Sequence, residues 1–248
     1  MYMNLEGNLV LELMEVKKYY KDNRAVDGMS FSLGEGEILG LIGANGAGKT
    51  TTLSLIATLR KPDSGKILYR GQDIVAQPTF LRRELGYVPQ EIALYSQLNG
   101  LENLKFWGRA NHIRGKHLNE RVEEVSKIIN FDRKTLKKKV ESYSGGMKRR
   151  LNIGVALLHQ PKLIIMDEPT VGLDIESRNQ IHDTILELKK KGVSILYTGH
   201  HMDEMEKICD KLCIVDKGKC VLFGDKAELL KEQKGLEELV LRTLHREE

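Results

Sequence analysis

The chain has 248 residues, of which 41% are hydrophobic and 30% charged, and its formal net charge is +4. This composition is typical of a soluble globular protein and excludes a disordered chain. The small positive excess gives no reason to expect nucleic acid as a partner, because such proteins carry concentrated basic patches.

The cysteines and the first residues bear on the compartment. Three cysteines are too sparse for a disulfide framework, which favours a reducing compartment. Metal binding by Cys209 and Cys213 with His200 or His201 lacks a second completing pair, so buried hydrophobic cysteines are favoured. Residues 1–13 lack the basic start and apolar run of a signal peptide, and no stretch approaches the roughly 18 apolar residues that cross a bilayer. We therefore expect a cytoplasmic chain.

The first third of the chain predicts strands and one helix. Apolar and polar residues alternate from Leu9 to Leu33, which predicts antiparallel strands. The near-continuous apolar run from Glu37 to Gly43 predicts a strand that is buried on both faces of a parallel sheet. Helical periodicity from Thr50 to Arg60 predicts a helix that ends before Pro62.

The middle of the chain, from about Ile92 to His159, is predominantly helical. The stretch from Leu118 to Ile129 is amphipathic, and helical periodicity runs from Ser144 to Leu158 and ends before Pro161. We therefore expect a helical lobe that is inserted into an α/β core.

The last third returns to apolar runs. Lys162 to Glu168 ends on two carboxylates, and Val193 to His200 ends on a histidine. Two further runs flank Asp216-Lys217-Gly218 and predict a hairpin, and residues after Gly235 have helical spacing. Because ligands bind at the carboxyl ends of strands in open α/β sheets, we expect three strand ends to converge on one site.

Residues 43–50 read Gly-Ala-Asn-Gly-Ala-Gly-Lys-Thr, the pattern of a phosphate-binding loop. Glycines let backbone N–H groups surround phosphates where a Cβ would clash. Lys49 would supply charge to the β- and γ-phosphates, and the Thr50 hydroxyl would bind Mg²⁺. The alternative of a chance glycine turn is disfavoured by the strand before it and the helix after it.

Asp167 and Glu168 follow an apolar strand, as expected for carboxylates on the Mg²⁺ side of such a site. Adjacent strand residues point to opposite faces, so one can hold the metal's water shell while the other addresses the attacking water. Solvated acids at a strand end are the alternative, and the nearby glycine loop argues against it.

Ser144-Gly145-Gly146 begins a helix. Serine is a good N-cap, and the two glycines clear space at the helix N-terminus. These residues alone leave open whether the segment is only a cap.

These motifs, in this order from about Leu9 to Val221, resemble the ATP-binding cassette (ABC) family. The resemblance implies ATP and Mg²⁺ as ligands. For ATP binding, it implies that Tyr20 stacks on adenine, that Ser144, Gly145 and Gly146 contact ATP, and that Walker A consists of Gly43, Asn45, Gly46, Ala47, Gly48, Lys49, Thr50 and Thr51. For the metal, it implies a site formed by Thr50, Gln90 and Asp167, in which Gln90 senses metal and nucleotide and Asp167 ends the Walker B segment that starts at Leu163. For catalysis and pairing, it implies that Glu168 is the general base, that His200 is the switch histidine and that Asp174 lies in the D-loop at a dimer interface.

Three of these residues have local alternatives. Tyr20 could be a strand-edge aromatic beside Tyr19, Gln90 an ordinary loop amide, and His200 a core histidine. Their shared order along the chain favours the family roles.

Two positions depart from the family pattern. The usual signature is Leu-Ser-Gly-Gly-Gln, whereas Tyr143 and Met147 replace its first and last residues here. The Ser-Gly-Gly core that would meet phosphate is retained. Ser-Gly-Gly-Met followed by residues 148–150 resembles the exporter branch, which includes drug, bacteriocin, polysaccharide and sodium efflux systems. Gly199 precedes His200, where a hydroxyl residue is common.

The resemblance implies an α/β fold: a P-loop NTPase core with a mostly parallel sheet, an N-terminal antiparallel β subdomain and an inserted α-helical subdomain. We predict one nucleotide-binding domain over residues 1–248. Its predicted parts are a core lobe (1–91 and 160–225), a helical lobe (92–159) and a C-terminal helical tail (226–248).

The same resemblance implies a transport ATPase, an efflux system that powers a separate membrane-spanning permease. Two cassettes, identical or different, would sandwich two nucleotides, each presenting Ser144 and Gly146 to the other's γ-phosphate. The permease would dock near residues 90–97 and hold the chain at the inner face of the cell membrane.

Three rival functions are weighed against this one. A non-transport ABC ATPase acting on ribosomes or DNA usually has tandem cassettes or long coiled-coil insertions, which this sequence lacks. The Ser-Gly-Gly segment and His200 argue against a small-molecule kinase or GTPase, and Glu168 argues against a regulatory cassette without turnover.

Overall fold

Two β-sheets share a hydrophobic core in the computed structural model, which describes residues 8–21 and 23–244. The strands are β1 (Leu9–Tyr20), β2 (Asn23–Gly34), β3 (Ile38–Ile42), β4 (Ser64–Tyr69), β5 (Gln72–Asp73), β6 (Leu85–Val88), β7 (Leu163–Asp167), β8 (Ser194–Thr198), β9 (Lys211–Asp216) and β10 (Lys219–Asp225). Among the described residues, one sheet has the order β2-β1-β4-β5 and is antiparallel. The other has the order β10-β9-β3-β8-β7-β6 and is parallel except for the β9–β10 hairpin.

Helices lie in the connections between these strands and after the last of them. They are α1 (Lys49–Ile56), α2 (Pro78–Glu84), α3 (Gly100–Ala110), α4 (Gly115–Ile128), α5 (Arg133–Leu136), α6 (Gly145–Leu157), α7 (Ile175–Lys190), α8 (Met202–Ile208), α9 (Lys226–Leu229) and α10 (Leu236–Leu244), with a 3-10 turn at Val140–Ser142. None of these helices in the described part of the chain is both long enough and apolar enough to cross a membrane.

The predicted α/β fold with its antiparallel and mostly parallel sheets is confirmed. The segment 92–159 contains α3 to α6, and the division of the chain into lobes stays a prediction. The outer ends of the predicted core lobe and tail, residues 1–7 and 245–248, lie outside the described residues.

Successive residues of the central strands face opposite layers. In β7, Leu163 and Ile165 pack towards the antiparallel sheet and α1, whereas Ile164 and Met166 pack towards the helices on the other face. Because side chains alternate across a strand, both faces of the parallel sheet are buried, which explains its near-continuous apolar runs. Burying each such side chain contributes about 1.5–3 kcal/mol.

The first helix is shorter than its sequence pattern predicts. The prediction that it extends to Arg60 was wrong, because α1 ends at Ile56. Thr58 has a left-handed backbone with φ of +56°, which no helix can continue through. Arg82 of α2 holds that turn by donating to Thr58 Oγ1 at 2.7 Å and to Thr58 O at 3.2 Å.

Candidate active site

Three strand ends meet at one edge of the parallel sheet. The glycine loop follows β3, Asp167 ends β7, and His200 follows β8, and these three strands are neighbours. A cavity of about 620 Å³ lies at this edge. It is lined by Asn45, Gly46, Gly48, Lys49, Thr50, Thr51, Gln90, Glu168 and His200, together with Asn23, Ala25 and Val171.

A larger cavity, of about 710 Å³, lies between α8 and α10. Its described lining includes Met202, Glu206 and Leu236 but none of the predicted site residues. The smaller cavity is therefore the candidate site, because of the two described linings only this one combines a lysine, a carboxylate and a histidine, the groups that suit phosphate chemistry.

Close backbone packing shapes the glycine loop. A Cβ on Gly43 would collide with the Val215 carbonyl oxygen, and one on Gly48 with the Ala25 carbonyl oxygen. Gly48 also has φ of +105°, a conformation that only glycine adopts readily. The loop is thus packed between the β9–β10 hairpin and β2, and several of its residues line the cavity.

Lys49 is the buried cation of this loop. Its Nζ donates to the carbonyl oxygens of Gly43 at 2.6 Å and Ala44 at 3.1 Å. Burial lowers the pKa of Lys49, and the charges of Glu168 and Asp167 oppose this. The lysine is therefore held over the loop, where it can bind phosphate with little loss of side-chain entropy.

Asp167 lies beside two hydroxyl groups. Thr198 Oγ1 donates to Asp167 Oδ1 at 2.7 Å. Burial raises the pKa of Asp167, whereas the hydroxyls of Thr198 and Thr50 lower it. Mg²⁺ takes oxygen donors, commonly one or two carboxylates with substrate phosphates, so the oxygens of Thr50 and Asp167 fit this ion.

The backbone of Glu168 is strained just after β7 ends. Its φ is +47°, a left-handed conformation that costs about 1–3 kcal/mol in a non-glycine residue. The Glu168 amide donates to Thr198 O at 3.2 Å and to Thr198 Oγ1 at 3.0 Å, which holds this conformation. Adjacent carboxylates therefore occupy different positions in the site.

The Glu168 carboxylate is held from two sides. Gln90 Nε2 donates to Glu168 Oε2 at 2.9 Å, and His200 Nε2 contacts Glu168 Oε1. The carboxylate is nearly buried and lines the cavity. A carboxylate fixed in this way can accept a proton from a water molecule in the cavity.

A buried carboxylate behind the site anchors the segments that follow β7 and β8. Glu204 of α8 accepts hydrogen bonds from Thr170 Oγ1 at 2.7 Å and from the Tyr197 hydroxyl at 3.1 Å. Burial acts to raise the pKa of Glu204, but His182, Thr170 and Tyr197 outweigh it and lower that pKa to about 2. Glu204 thus stays ionised and ties α8, just after His200, to the loop after Glu168.

The Ser144-Gly145-Gly146 segment lies elsewhere. Ser144 caps α6 by accepting a hydrogen bond from the Met147 amide at 3.2 Å. Ser144 and Gly145 are exposed, and none of the three residues is among those lining the cavity. Asp174 likewise caps α7, accepting from the Ser177 amide at 2.8 Å.

Tyr20 is at the end of β1 and is 36% exposed. It is not among the residues that line the cavity. The Arg60 guanidinium and the Lys18 ammonium lie 5.5 and 5.6 Å from its ring centre. The ring is thus occupied by cation–π contacts in this conformation.

Sequence reasoning missed Thr198, which touches both carboxylate-bearing residues. It lies two positions before His200 in a buried apolar strand, and a polar residue there is the signal that could have found it. Asn23 and Ala25 of β2 were also missed as lining residues, because β2 reaches the cavity only through tertiary packing.

The family follows from comparison with known proteins. A family model described as ABC transporter matches residues 26–171, which is more than half of the chain. The chain belongs to the ABC transporter family.

Relatives of this ABC protein include ATP-binding proteins of resistance and export systems. The linearmycin resistance ATP-binding protein LnrL of Bacillus subtilis (strain 168) is 44% identical over 220 residues, which are 89% of this chain and 70% of that protein. The Nod factor export ATP-binding protein I of Sinorhizobium fredii (strain NBRC 101917 / NGR234) is 38% identical over 232 residues, covering 93% and 67%.

Solved structures agree. An ATP-binding subunit of an ABC transporter superposes with a TM-score of 0.84 at 28% identity, covering 95% of this chain and 99% of that one. CbiO1 from Clostridium perfringens, part of the ABC transporter complex CbiONQ, gives 0.83 at 27% identity, covering 96% of each chain. The predicted ATP-hydrolysing subunit of an ABC transporter is therefore confirmed, and the ribosome- or DNA-directed alternative gains no support.

Proposed function

We propose that this ABC ATPase binds ATP and Mg²⁺ between two cassettes and drives export through a separate membrane-spanning partner. The observation that carries the proposal is the Glu168 carboxylate, held by Gln90 and His200 at the wall of a cavity that also contains Lys49. When bound, Mg²⁺ would neutralise charge on the β- and γ-phosphates, with Thr50, Asp167 and Gln90 as its protein neighbours.

The chain's own residues divide the chemistry. The Walker A amides and Lys49 bind the phosphates. Glu168 orients a water for in-line attack and accepts its proton. His200 and Gln90 fix the two carboxylate oxygens, so the base is already aimed when ATP enters.

A second cassette would supply the missing wall. Ser144 and Gly145 are exposed and point their helix N-terminus at solvent, where it would attract a phosphate presented by another chain. Asp174, at the start of α7, is placed near them, since Gly146 packs against Ser177 of α7. The second cassette is a copy of this chain or a related one.

Different observations support the proposed direction of transport and the proposed docking surface for the permease. The relatives' names speak of resistance and export, and the Ser-Gly-Gly-Met signature is similar to the exporter branch. Tyr95, within residues 90–97, and Phe106 of α3 are 46% and 42% exposed, and their rings meet edge-on with centres 4.7 Å apart. An exposed aromatic pair of this kind suits a permease at the inner face of the membrane.

Glu168→Gln tests the proposed role directly. Because the amide cannot accept the water's proton, turnover should fall about 10²- to 10⁴-fold while ATP binding persists. With ATP, the Glu168→Gln variant should then accumulate as a dimer, which light scattering measures. Phosphate release measures its turnover. Glu91→Gln, an exposed neighbour of Gln90, is the matched control and should hydrolyse ATP normally. Wild-type turnover in Glu168→Gln would refute Glu168 as the base.

A further inference from the structure

Arg149 is a buried arginine of α6 that grips the backbone on either side of the Pro89–Gln90 peptide. Its Nη1 donates to Pro89 O at 2.8 Å, and its Nη2 donates to Gln90 O at 2.7 Å. The guanidinium is a planar fork with fixed donor directions, so it holds the two carbonyls in one defined geometry, which the flexible side chain and single nitrogen of lysine do not impose. One turn further along α6, Asn152 Oδ1 accepts from the Ala93 amide at 3.3 Å. The Gln90 segment is therefore fastened to α6 at two points.

The two hydrogen bonds of Arg149, here called the clamp, connect the start of α6 with the segment that contacts Glu168. α6 begins at Ser144, which is exposed to a second cassette, and Arg149 lies little more than one turn into the same rigid helix. Beyond the clamp, the Gln90 side chain donates to Glu168 Oε2 at 2.9 Å. A displacement of the start of α6 therefore reaches the Glu168 carboxylate through Arg149 and Gln90.

We infer that Arg149 is a positioning residue that couples the two ATP sites of the dimer. Contact between Ser144 and the nucleotide of one site shifts α6, and Arg149 passes that shift to Gln90 and Glu168 of the other site. This inference rests on the proposed pairing of two cassettes. It concerns communication between sites and adds no chemical step.

Arg150 is a matched control in the same helix. Its Nη1 donates to Ile129 O at 3.1 Å and to Asn130 O at 3.4 Å, and its guanidinium lies 5.0 Å from the centre of the Phe131 ring. Arg150 thus ties α6 to the end of α4, whereas Arg149 ties it to Gln90. Methionine at either position keeps the apolar stem and removes the donors.

The coupling is tested by ATPase rates across ATP concentrations for the wild type, Arg149→Met, Arg149→Lys and Arg150→Met. We expect the ATPase rate of the wild type to depend cooperatively on the ATP concentration. In Arg149→Met we expect a Hill coefficient near one and a turnover about 5- to 100-fold lower, with little change in half-saturating ATP. Arg149→Lys should not restore cooperativity, and Arg150→Met should keep it. Equal losses in both methionine variants, or wild-type cooperativity in Arg149→Met, would overturn the inference.

Hydrogen exchange without nucleotide gives a second readout that is independent of activity. Amides of the segment 86–97 should exchange faster in Arg149→Met than in the wild type or Arg150→Met. Unchanged exchange in Arg149→Met overturns the clamp. A wild-type chain that hydrolyses ATP as a monomer refutes the proposed pairing, and the coupling with it, before any variant is made.

Discussion

Helix α1, which begins at Lys49 after Gly48, and helix α6, which begins at Gly145, both have glycine at their N-termini. Both helix N-termini present free amides that attract anions. At α1, Lys49 is buried, and the carboxylates of Asp167 and Glu168 lie close by. At α6, Ser144 and Gly145 are exposed and outside the cavity. The same local signal therefore lies in the candidate cavity at α1, where distant segments of the chain surround it, and outside that cavity at α6.

Removing the cation that distinguishes α1 should have the largest effect. Lys49→Met should weaken ATP binding about 10- to 100-fold, because a charge-assisted hydrogen bond contributes about 1.5–3 kcal/mol. Titration with a fluorescent ATP analogue measures this loss. Lys61→Met, in the exposed loop after α1, is the control and should bind normally. Equal ATP affinities of Lys49→Met and Lys61→Met would show that Lys49 is not what distinguishes the start of α1 from the start of α6.

Thr198 tests how the distant segments complete the first site. Thr198→Val removes the donor to Asp167 and one of the two acceptors of the Glu168 amide, so both buried groups lose a hydrogen bond. We expect a loss of about 1–3 kcal/mol in the free energy of unfolding and a higher Mg²⁺ concentration for half-maximal activity. Urea unfolding and Mg²⁺ titration measure the two effects. Thr198→Ser keeps the hydroxyl and should restore both, and failure of that rescue would argue against the hydrogen bonds.

The smallest effect belongs to the cap of α6. Ser144→Ala should lower the free energy of unfolding by about 1 kcal/mol, because it removes the acceptor for the Met147 amide. Ser144→Asp should keep that stability, since aspartate caps helices as well as serine does. Thermal unfolding of the three proteins separates them. Equal stability of Ser144→Ala and the wild type would show that the cap contributes nothing.

Local patterns in the sequence were enough to predict the strand ends and the glycine loop. Buried parallel strands give continuous apolar runs, and the loop's glycine spacing reflects its close backbone contacts. These features depend on neighbours in sequence, so they could be identified without the structure.

Features that depend on tertiary contacts could not be predicted. The turn that follows α1 is held by Arg82, a residue of the next helix. Arg149 stands in a short basic run, and nothing local indicates that it reaches Gln90. Tyr20 has the right place in the sequence for adenine stacking, yet its ring packs with Arg60 outside the cavity, so its role stays a prediction.

The central claim is that the phosphate loop of one chain works with Ser144 to Gly146 of another, and mixing two inactive variants tests it most directly. A dimer of Lys49→Met with Ser144→Asp has one intact site, whereas a dimer of either variant alone has none. We expect each pure variant to be inactive, because the first lacks the phosphate cation and the second repels phosphate. An equimolar mixture should recover activity that neither variant has alone, up to about one quarter of the wild-type rate, since about half of randomly formed two-fold dimers are mixed and each has one intact site. A mixture as inactive as its components, or full activity of Ser144→Asp alone, would contradict the claim.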